Sequence, residues 1–411
     1  MASIRKRGNS YQIIVSAGYD SGGKKLTKQK SVKRPDKITD KQWEKELNKI
    51  AAEFELAVEK GEYYDPSKFT LSDFIDKWLV EHGKNLENKT LYRYKGMLKG
   101  RVNKALGHLK LDQIKPLHLL EFYRNLQEPS IREDGKKGSL SNKTIGHYHG
   151  VLSAMLNSAF QWGMIKENPC VRVKPPKAEQ QEMKYLEEDE LIKFYDCLSQ
   201  EPIKIQAMIL VSLMTGCRRG ELAALQWKHI DLDNGVIHIK QAAEYTPETG
   251  IIIKKPKTRS SIRQIAIPDS LVQVLKFYRS WWLEQKLTLG TLWQEKERLK
   301  QGGNWVDPEW LFASMEGYIM HLDTFTKTFK KFLKRHDLND IRLHDLRHTS
   351  ATMLLHSGLN VRAVASRLGH ANPNVTLSVY AHALQSADKE AANIMEGLIK
   401  KKDDSEEKNK A

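Results

Sequence analysis

No continuous helix or central strand can pass through Val173-Lys174-Pro175-Pro176-Lys177, which follows Asn168-Pro169 in the middle of the chain. Each proline lacks the backbone donor and holds φ at about −65°, so residues 173–184 are expected to form an extended, semi-rigid, basic linker. The two sides of this break must then bury their apolar residues separately. A length of 411 residues agrees, since it exceeds what one hydrophobic core serves. The expected class is α+β and multidomain.

Upstream, residues 1–65 read as a three-stranded sheet plus a helix. Tyr11-Gln12-Ile13-Ile14-Val15 and the lysine-rich run Lys24–Val32 flank the turn-forming Asp20-Ser21-Gly22-Gly23. Thr39 and Gln42 form a capping-box pattern, and Trp43, Leu47, Ile50, Phe54 and Val58 recur at helical spacing towards a stop at Gly61. The sheet face left free by that helix is expected to carry Arg5, Arg7, Lys24, Lys28 or Lys30, either as a DNA-contacting surface or as a merely solvated one. Residues 69–172 read as an all-helical bundle, with apolar periodicity over Thr70–Val80, Thr90–Leu98, Pro116–Leu126 and Thr144–Trp162. Around its second helix stand Lys89, Arg93, Lys95, Lys99, Arg101 and Lys104, suited as a cluster to tracking a duplex backbone and singly to a solvated face. Lys174 and Lys177 continue the basic character into the linker.

Downstream, residues 185–400 read as a mainly helical domain with a small antiparallel sheet. The apolar run Ile205–Thr215 leads into Thr215-Gly216-Cys217-Arg218-Arg219-Gly220-Glu221-Leu222. Gly216 permits a tight turn that brings Arg218 out at the core edge, where Glu221 can orient it from behind. Taken alone, this pattern equally describes a helix-capping salt bridge. Val236–Lys240, Ile251–Lys255 and Ile262–Ile267 are strand-like, and the latter two are expected to form a hairpin with Lys257 at its tip. A lysine so placed can protonate a departing oxygen, although Lys254, Lys255 and Arg259 can equally contact phosphate. Trp281–Val306 reads as a variable excursion without chemistry.

The densest chemistry lies in Leu343-His344-Asp345-Leu346-Arg347-His348-Thr349, then Leu368-Gly369-His370, then Tyr380. His344 and Arg347 stand on one helical face and can hold the same anion. A phenol beyond them can act as a nucleophile if cations stabilise the charge that develops. His344 and His348 also have the spacing of a helical zinc pair, with Asp345 in the place of a catalytic carboxylate, yet Arg347 between them would repel a dication. No metal is therefore expected. After Tyr380, Leu384, Ala387, Ala391, Ile394, Met395 and Leu398 form an apolar helical stripe that folds either onto its own domain or onto a neighbouring copy. Residues 401–411 read as a charged, disordered tail.

A net charge of +16 and a pI near 9.4 point to a polyanionic partner. No apolar run reaches the ~20 residues that span a bilayer, and the N-terminus lacks a signal peptide's apolar core, so a cytoplasmic protein without a membrane partner is expected. Cys170, Cys197 and Cys217 are too few and too scattered for a disulfide framework or a metal knuckle.

Thr-Gly-x-Arg-x-x-Glu-Leu, the lysine of Lys-Thr-x-Ser, His-Asp-Leu-Arg-His-Thr, Leu-Gly-His and the tyrosine ten residues later resemble, in order and spacing, the tyrosine recombinases of the phage-integrase family. The helical bundle looks like their core-site-binding domain. The N-terminal module looks like the arm-site-binding module of conjugative-transposon integrases, which the chain resembles most. The resemblance implies that Tyr380 attacks the scissile phosphate to give a 3′-phosphotyrosyl bond, with Arg218 and Arg347 clamping the phosphate oxygens. It further implies His344 as base or phosphate ligand, His370 as a donor, Lys257 as general acid, and no cofactor. The partners it implies are double-stranded DNA at element ends, core and arm sites and target, in a homotetramer, with an accessory protein for excision. A non-catalytic DNA-binding regulator of the same fold and a type IB topoisomerase are the alternatives.

Overall fold

The computed structural model describes residues 2–8, 10–19, 22–35, 38–59, 69–179, 183–256, 259–293, 299–301, 304–306, 309–374, 376–377 and 396. They belong to two compact units, Met1–Gln180 and Gln181–Ala411.

The first unit holds two separate cores. Strands β1 (Ser3–Arg7), β2 (Ser10–Tyr19) and β3 (Lys25–Lys33) form an antiparallel sheet in sequence order, covered on one face by α1 (Asp40–Glu59). Trp43, Leu47, Ala51, Phe54 and Val58, one face of α1, pack on Ile13 and Val15. Register decides which basic residues face away. Opposed residues of an antiparallel pair share a side of the sheet. Arg5 and Arg7 pair with Gln12 and Ser10, and Ser10 with Lys33, on the face away from α1. Lys28 and Lys30 stand opposite Val15 and Ile13 and so lie on the α1 side, beyond the helix and still exposed. The expected common face is therefore divided. Lys24 is exposed just before β3. The expected helix stop, Gly61, lies outside the described residues.

The bundle comprises α2 (Leu71–Glu81), α3 (Asn88–Met97), α4 (Asn103–Leu106), α5 (Pro116–Leu126) and α6 (Asn142–Gln161). Thr70 and Asp73 close a capping box on α2, and Ser141 caps α6. Between α3 and α4 the chain makes a π-helical turn, Leu98–Val102, distorted at Gly100. Three members of the basic cluster have partners within the bundle. Lys99 bonds Asp76 at 2.8 Å, Lys104 bonds Glu133 at 3.2 Å, and Arg101 donates inward to the Ile131 carbonyl at 2.9 Å. Arg93 is exposed and Lys95 half-buried. Val173 belongs to the bundle core, and Asn142 donates to the Lys177 carbonyl at 3.0 Å. The proline segment is thus tied to the bundle as far as Lys177, with the Lys174 and Lys177 side chains exposed.

The second unit contains α7 (Glu188–Ser199), α8 (Ile203–Thr215), α9 (Arg219–Ala223), β4 (Ile230–Asp231), β5 (Val236–Ile239), β6 (Ala242–Thr246), β7 (Gly250–Lys254), β8 (Arg263–Ala266), α10 (Asp269–Leu289), β9 (Leu299–Gln301), β10 (Asn304–Val306), α11 (Leu322–Arg335), α12 (Asp345–His356) and α13 (Val361–Leu368). Helix α8 is buried along Ala207–Ser212, as its unbroken apolar sequence requires. Two expectations are corrected. β7 pairs with β6, while β8 joins β4 and β5 in a separate sheet, so Lys255–Ile262 connects two sheets instead of tipping a hairpin. The stretch from Trp281 is not an excursion at first: α10 continues to Leu289, and buried Trp282 donates to the Trp310 carbonyl at 3.1 Å. Leu271, Leu275, Tyr278 and Trp282 form its inward stripe.

Candidate active site

Helix α8 ends at Gly216 in the left-handed conformation, φ 59° and ψ 24°. A Cβ there would meet Leu368 Cδ2 at 2.6 Å, so only glycine allows α8 and the end of α13 to approach this closely. The reversal delivers Arg218 to the N-cap of α9. Gly220, whose Cβ would lie 2.6 Å from the Ala243 carbonyl oxygen, seats α9 against β6. Glu221 then folds back on the turn. Its Oε1 accepts from Arg218 Nη1 at 2.9 Å, and its Oε2 accepts from the Arg218 backbone N–H at 2.9 Å and from Arg263 Nη2 at 2.9 Å. Burial acts to raise the Glu221 pKa, but Arg263 and then Arg218 outweigh it and the net shift is downward. Glu221 is a buried carboxylate, whereas the Arg218 side chain remains 41% exposed.

Arg347, on the first turn of α12, is only 3% exposed. Its Nη1 donates to the Gly216 carbonyl at 2.6 Å and its Nη2 to the Leu368 carbonyl at 2.8 Å. Arg218 Nη2 donates to the neighbouring carbonyl, that of Gly369, at 3.3 Å. Two guanidiniums from distant parts of the sequence are thereby fixed to one main-chain corner. Arg263 and Arg367 add positive charge behind them, and the carboxylate of Glu221 is bonded into this group and offsets part of it. Such an excess of positive charge has an anion as its natural complement.

His370 Nε2 lies 2.8 Å from Arg347 Nη2, and its Nδ1 lies 2.8 Å from Thr376 Oγ1. A guanidinium can only donate, so Nε2 is the acceptor and Nδ1 carries the proton given to Thr376. Burial first, then Arg347, Arg218 and Arg263, pushes the His370 pKa down to about 4. His344 precedes α12 and meets His348 edge-on, with ring centroids 5.0 Å apart. Burial, His348 and Arg347 push its pKa down to about 4, although the residue keeps an exposed edge. Both rings are therefore neutral at pH 7 and can accept protons. Asp345, the candidate for a metalloprotease-like carboxylate, is turned to Arg342 instead, accepting from its backbone N–H at 2.7 Å and from its guanidinium Nη2 at 2.8 Å. Among the described residues no group of three or more His, Cys, Asp and Glu side chains is arranged to hold a metal ion.

Residues 184–387 match the phage integrase family, and residues 70–127 match the N-terminal SAM-like domain of phage integrases. The chain belongs to the phage integrase family. The family's members are tyrosine recombinases, which break and rejoin DNA at specific sites. This recombinase is 28% identical over 405 residues to a XerC-like tyrosine recombinase of Caldanaerobacter subterraneus, covering 95% of this chain and 96% of the relative. It is 26% identical over 402 residues to the ICEBs1 integrase of Bacillus subtilis, covering 97% and 100%. Its fold resembles that of the Tn1549 transposon integrase in complex with a circular intermediate DNA, with a TM-score of 0.65 and 22% identity over 80% of this chain and 100% of that one.

Of the site residues inferred from the sequence, Arg218, Glu221, Arg347 and His370 converge on the corner formed by Gly216, Leu368 and Gly369, with His344 at the start of α12. Lys257 and Tyr380 lie outside the described residues, as does the apolar stripe following Tyr380. Arg263, Arg367 and Thr376 belong to the site without having been singled out by the sequence. Arg367 Nη2 donates to the Met214 carbonyl at 2.8 Å, closing the same corner from behind. Among the described residues no helix is long and apolar enough to cross a membrane.

Proposed function

We propose that this recombinase cuts and rejoins the ends of an integrative mobile element through a covalent bond between Tyr380 and a DNA 3′-phosphate. The observation that carries the reading is the convergence of Arg218, Arg347 and His370 on one corner, backed by a carboxylate that holds Arg218 without covering it. A phosphodiester seated there would meet donors on its non-bridging oxygens, and these strengthen as charge develops in the pentacoordinate transition state. The Tyr380 oxygen attacks phosphorus and the bond to the 5′-oxygen breaks. Lys257 gives that oxygen its proton, and His344, neutral in the folded protein, can take the phenolic one. The free 5′-hydroxyl of a partner strand then attacks the phosphotyrosine, releasing Tyr380. Bond energy is conserved in the covalent link, so the chemistry calls for neither metal nor nucleotide.

For His370 to donate to the phosphate, its Nε2 must be protonated. An arriving phosphate favours this by offsetting the three guanidiniums that disfavour the charge. The N-terminal module would hold arm sites, the bundle core sites, and four copies would complete a synapse, with an accessory protein acting in excision. A cytoplasmic, DNA-associated location accords with that role.

The test is a nicked suicide duplex bearing an element end, incubated with the full chain in EDTA and resolved on a denaturing gel. A covalent protein–DNA product from the wild type and none from Tyr380→Phe is expected. Binding without any covalent product would favour a non-catalytic regulator. Product that requires zinc would overturn the mechanism.

A further inference from the structure

Strand β8 alternates buried and exposed residues, and it turns Arg263 inward beside Ile265. Burying a guanidinium in this way is unfavourable unless its donors find partners. Arg263 spans three parts of the unit. Its Nε donates to the Arg367 carbonyl at 2.7 Å, its Nη1 to the Ser261 carbonyl at 3.1 Å and its Nη2 to Glu221 Oε2 at 2.9 Å. At 9% exposure it turns these donors to oxygens of the protein. It touches the carboxylate that holds Arg218, the strand entry that follows Lys257, and the end of α13 that presents Leu368 to Arg347.

We propose that Arg263 is a positioning residue for strand cleavage, which shares the charge of Glu221 and so keeps Arg218 aimed at the scissile phosphate. This rests on the phosphate-clamp reading above. Glu221 divides its oxygens between the two arginines. Without Arg263, the full carboxylate charge falls on Arg218, which is drawn down onto Glu221 and away from the phosphate, while the segment from Arg367 to His370 loses its tie to β8. The damage is then electrostatic, and removing the carboxylate charge as well should relieve part of it, because the attraction that draws Arg218 down is removed with it.

The experiment is single-turnover cleavage of the suicide duplex at saturating full-length protein, with DNA affinity measured separately by fluorescence anisotropy. For Arg263→Gln we expect phosphotyrosine formation to slow by at least about 100-fold, the scale of losing one preorganised charge stabiliser, with affinity within about threefold of the wild type. The double variant Arg263→Gln with Glu221→Gln should cleave about tenfold faster than Arg263→Gln alone, as expected when two groups are coupled. Arg263→Lys keeps the charge but not the fork, and should fall between the wild type and Arg263→Gln. Should Arg263→Gln fail to fold, the lysine variant decides the matter. A lysine or glutamine variant as fast as the wild type would overturn the inference. So would a double variant slower than the single one, or a loss of rate matched by an equal loss of bound DNA. If the wild type itself forms no covalent product, the functional reading falls too; if it reacts and the Arg263 variants keep pace, only this inference does.

Discussion

Gly216→Ala tests the packing that brings Arg218 and Arg347 together. At φ 59° a residue with a Cβ is strained by about 1 kcal/mol. The new methyl would also stand 2.6 Å from Leu368 Cδ2. Leu368 is fully buried and cannot swing into solvent, so relief requires α13 to shift, and overpacking of this kind costs about 1–3 kcal/mol. The total expected loss is therefore about 2–4 kcal/mol. Urea denaturation followed by tryptophan fluorescence would measure it, with attention to the separate transition of the first unit. The clash is separable from the strain by repeating the substitution in a Leu368→Ala background. There the methyl finds room, and the penalty should shrink to about 1 kcal/mol, the backbone share alone. Cleavage should fall more than stability explains, because Arg347 donates to the Gly216 carbonyl and follows any displacement of it. A cost below about 0.5 kcal/mol, or one that stays the same in the Leu368→Ala background, would refute the reasoning.

Other outcomes follow from the same contacts. Thr376→Val removes the acceptor of the His370 Nδ1 proton in a fully buried place, and should cost about 1–2 kcal/mol and slow cleavage while leaving DNA affinity unchanged; an unaltered cleavage rate would show that the tautomer is not held there. His229, His344 and His370 all have pKa values lowered from 6.5 to about 4 by burial and neighbouring cations. The unfolded chain therefore binds more protons than the folded one between those values, so stability is full above pH 6.5 and declines as pH falls towards 4; denaturation midpoints that stay level across this window would contradict the shifts. On an arm-site duplex, Arg5→Gln with Arg7→Gln should weaken binding and flatten its salt dependence by about one unit of slope per lost phosphate contact, and Lys28→Gln with Lys30→Gln should do less because they stand on the other side of the sheet.

Helices with a one-sided apolar stripe were the most legible part of the fold. Thr70 and Asp73, Thr39 and Gln42, and Ser141 all act at helix starts, because capping is a local matter between neighbours in the chain. Strand pairing is not local. The sequence marks Ile251–Lys255 and Ile262–Ile267 as strands, but not that β6 intervenes as the partner of β7, since Ala242-Ala243-Glu244-Tyr245-Thr246 lacks a strong alternating pattern. The cluster on α3 and the following turn shows a similar limit: a lysine count cannot tell that Asp76 and Glu133 arrive from elsewhere to engage Lys99 and Lys104.

The candidate site was legible wherever reactive residue types stand at short spacing, as in His344-x-x-Arg347 and Arg218-x-x-Glu221. Arg263 belongs to a different kind of signal. In Ile262-Arg263-Gln264-Ile265-Ala266-Ile267 the alternation places Arg263 on the side of Ile265 and Ile267, both buried. A cation on the apolar side of a strand needs a carboxylate and carbonyl oxygens to meet it, and those partners are rarely adjacent in sequence. Here they are Glu221, ahead of the strand, and the carbonyl of Arg367, far beyond it. An inward arginine in a strand therefore marks the point where distant segments must close on one another. In this chain that point lies directly behind the residues that would hold the phosphate.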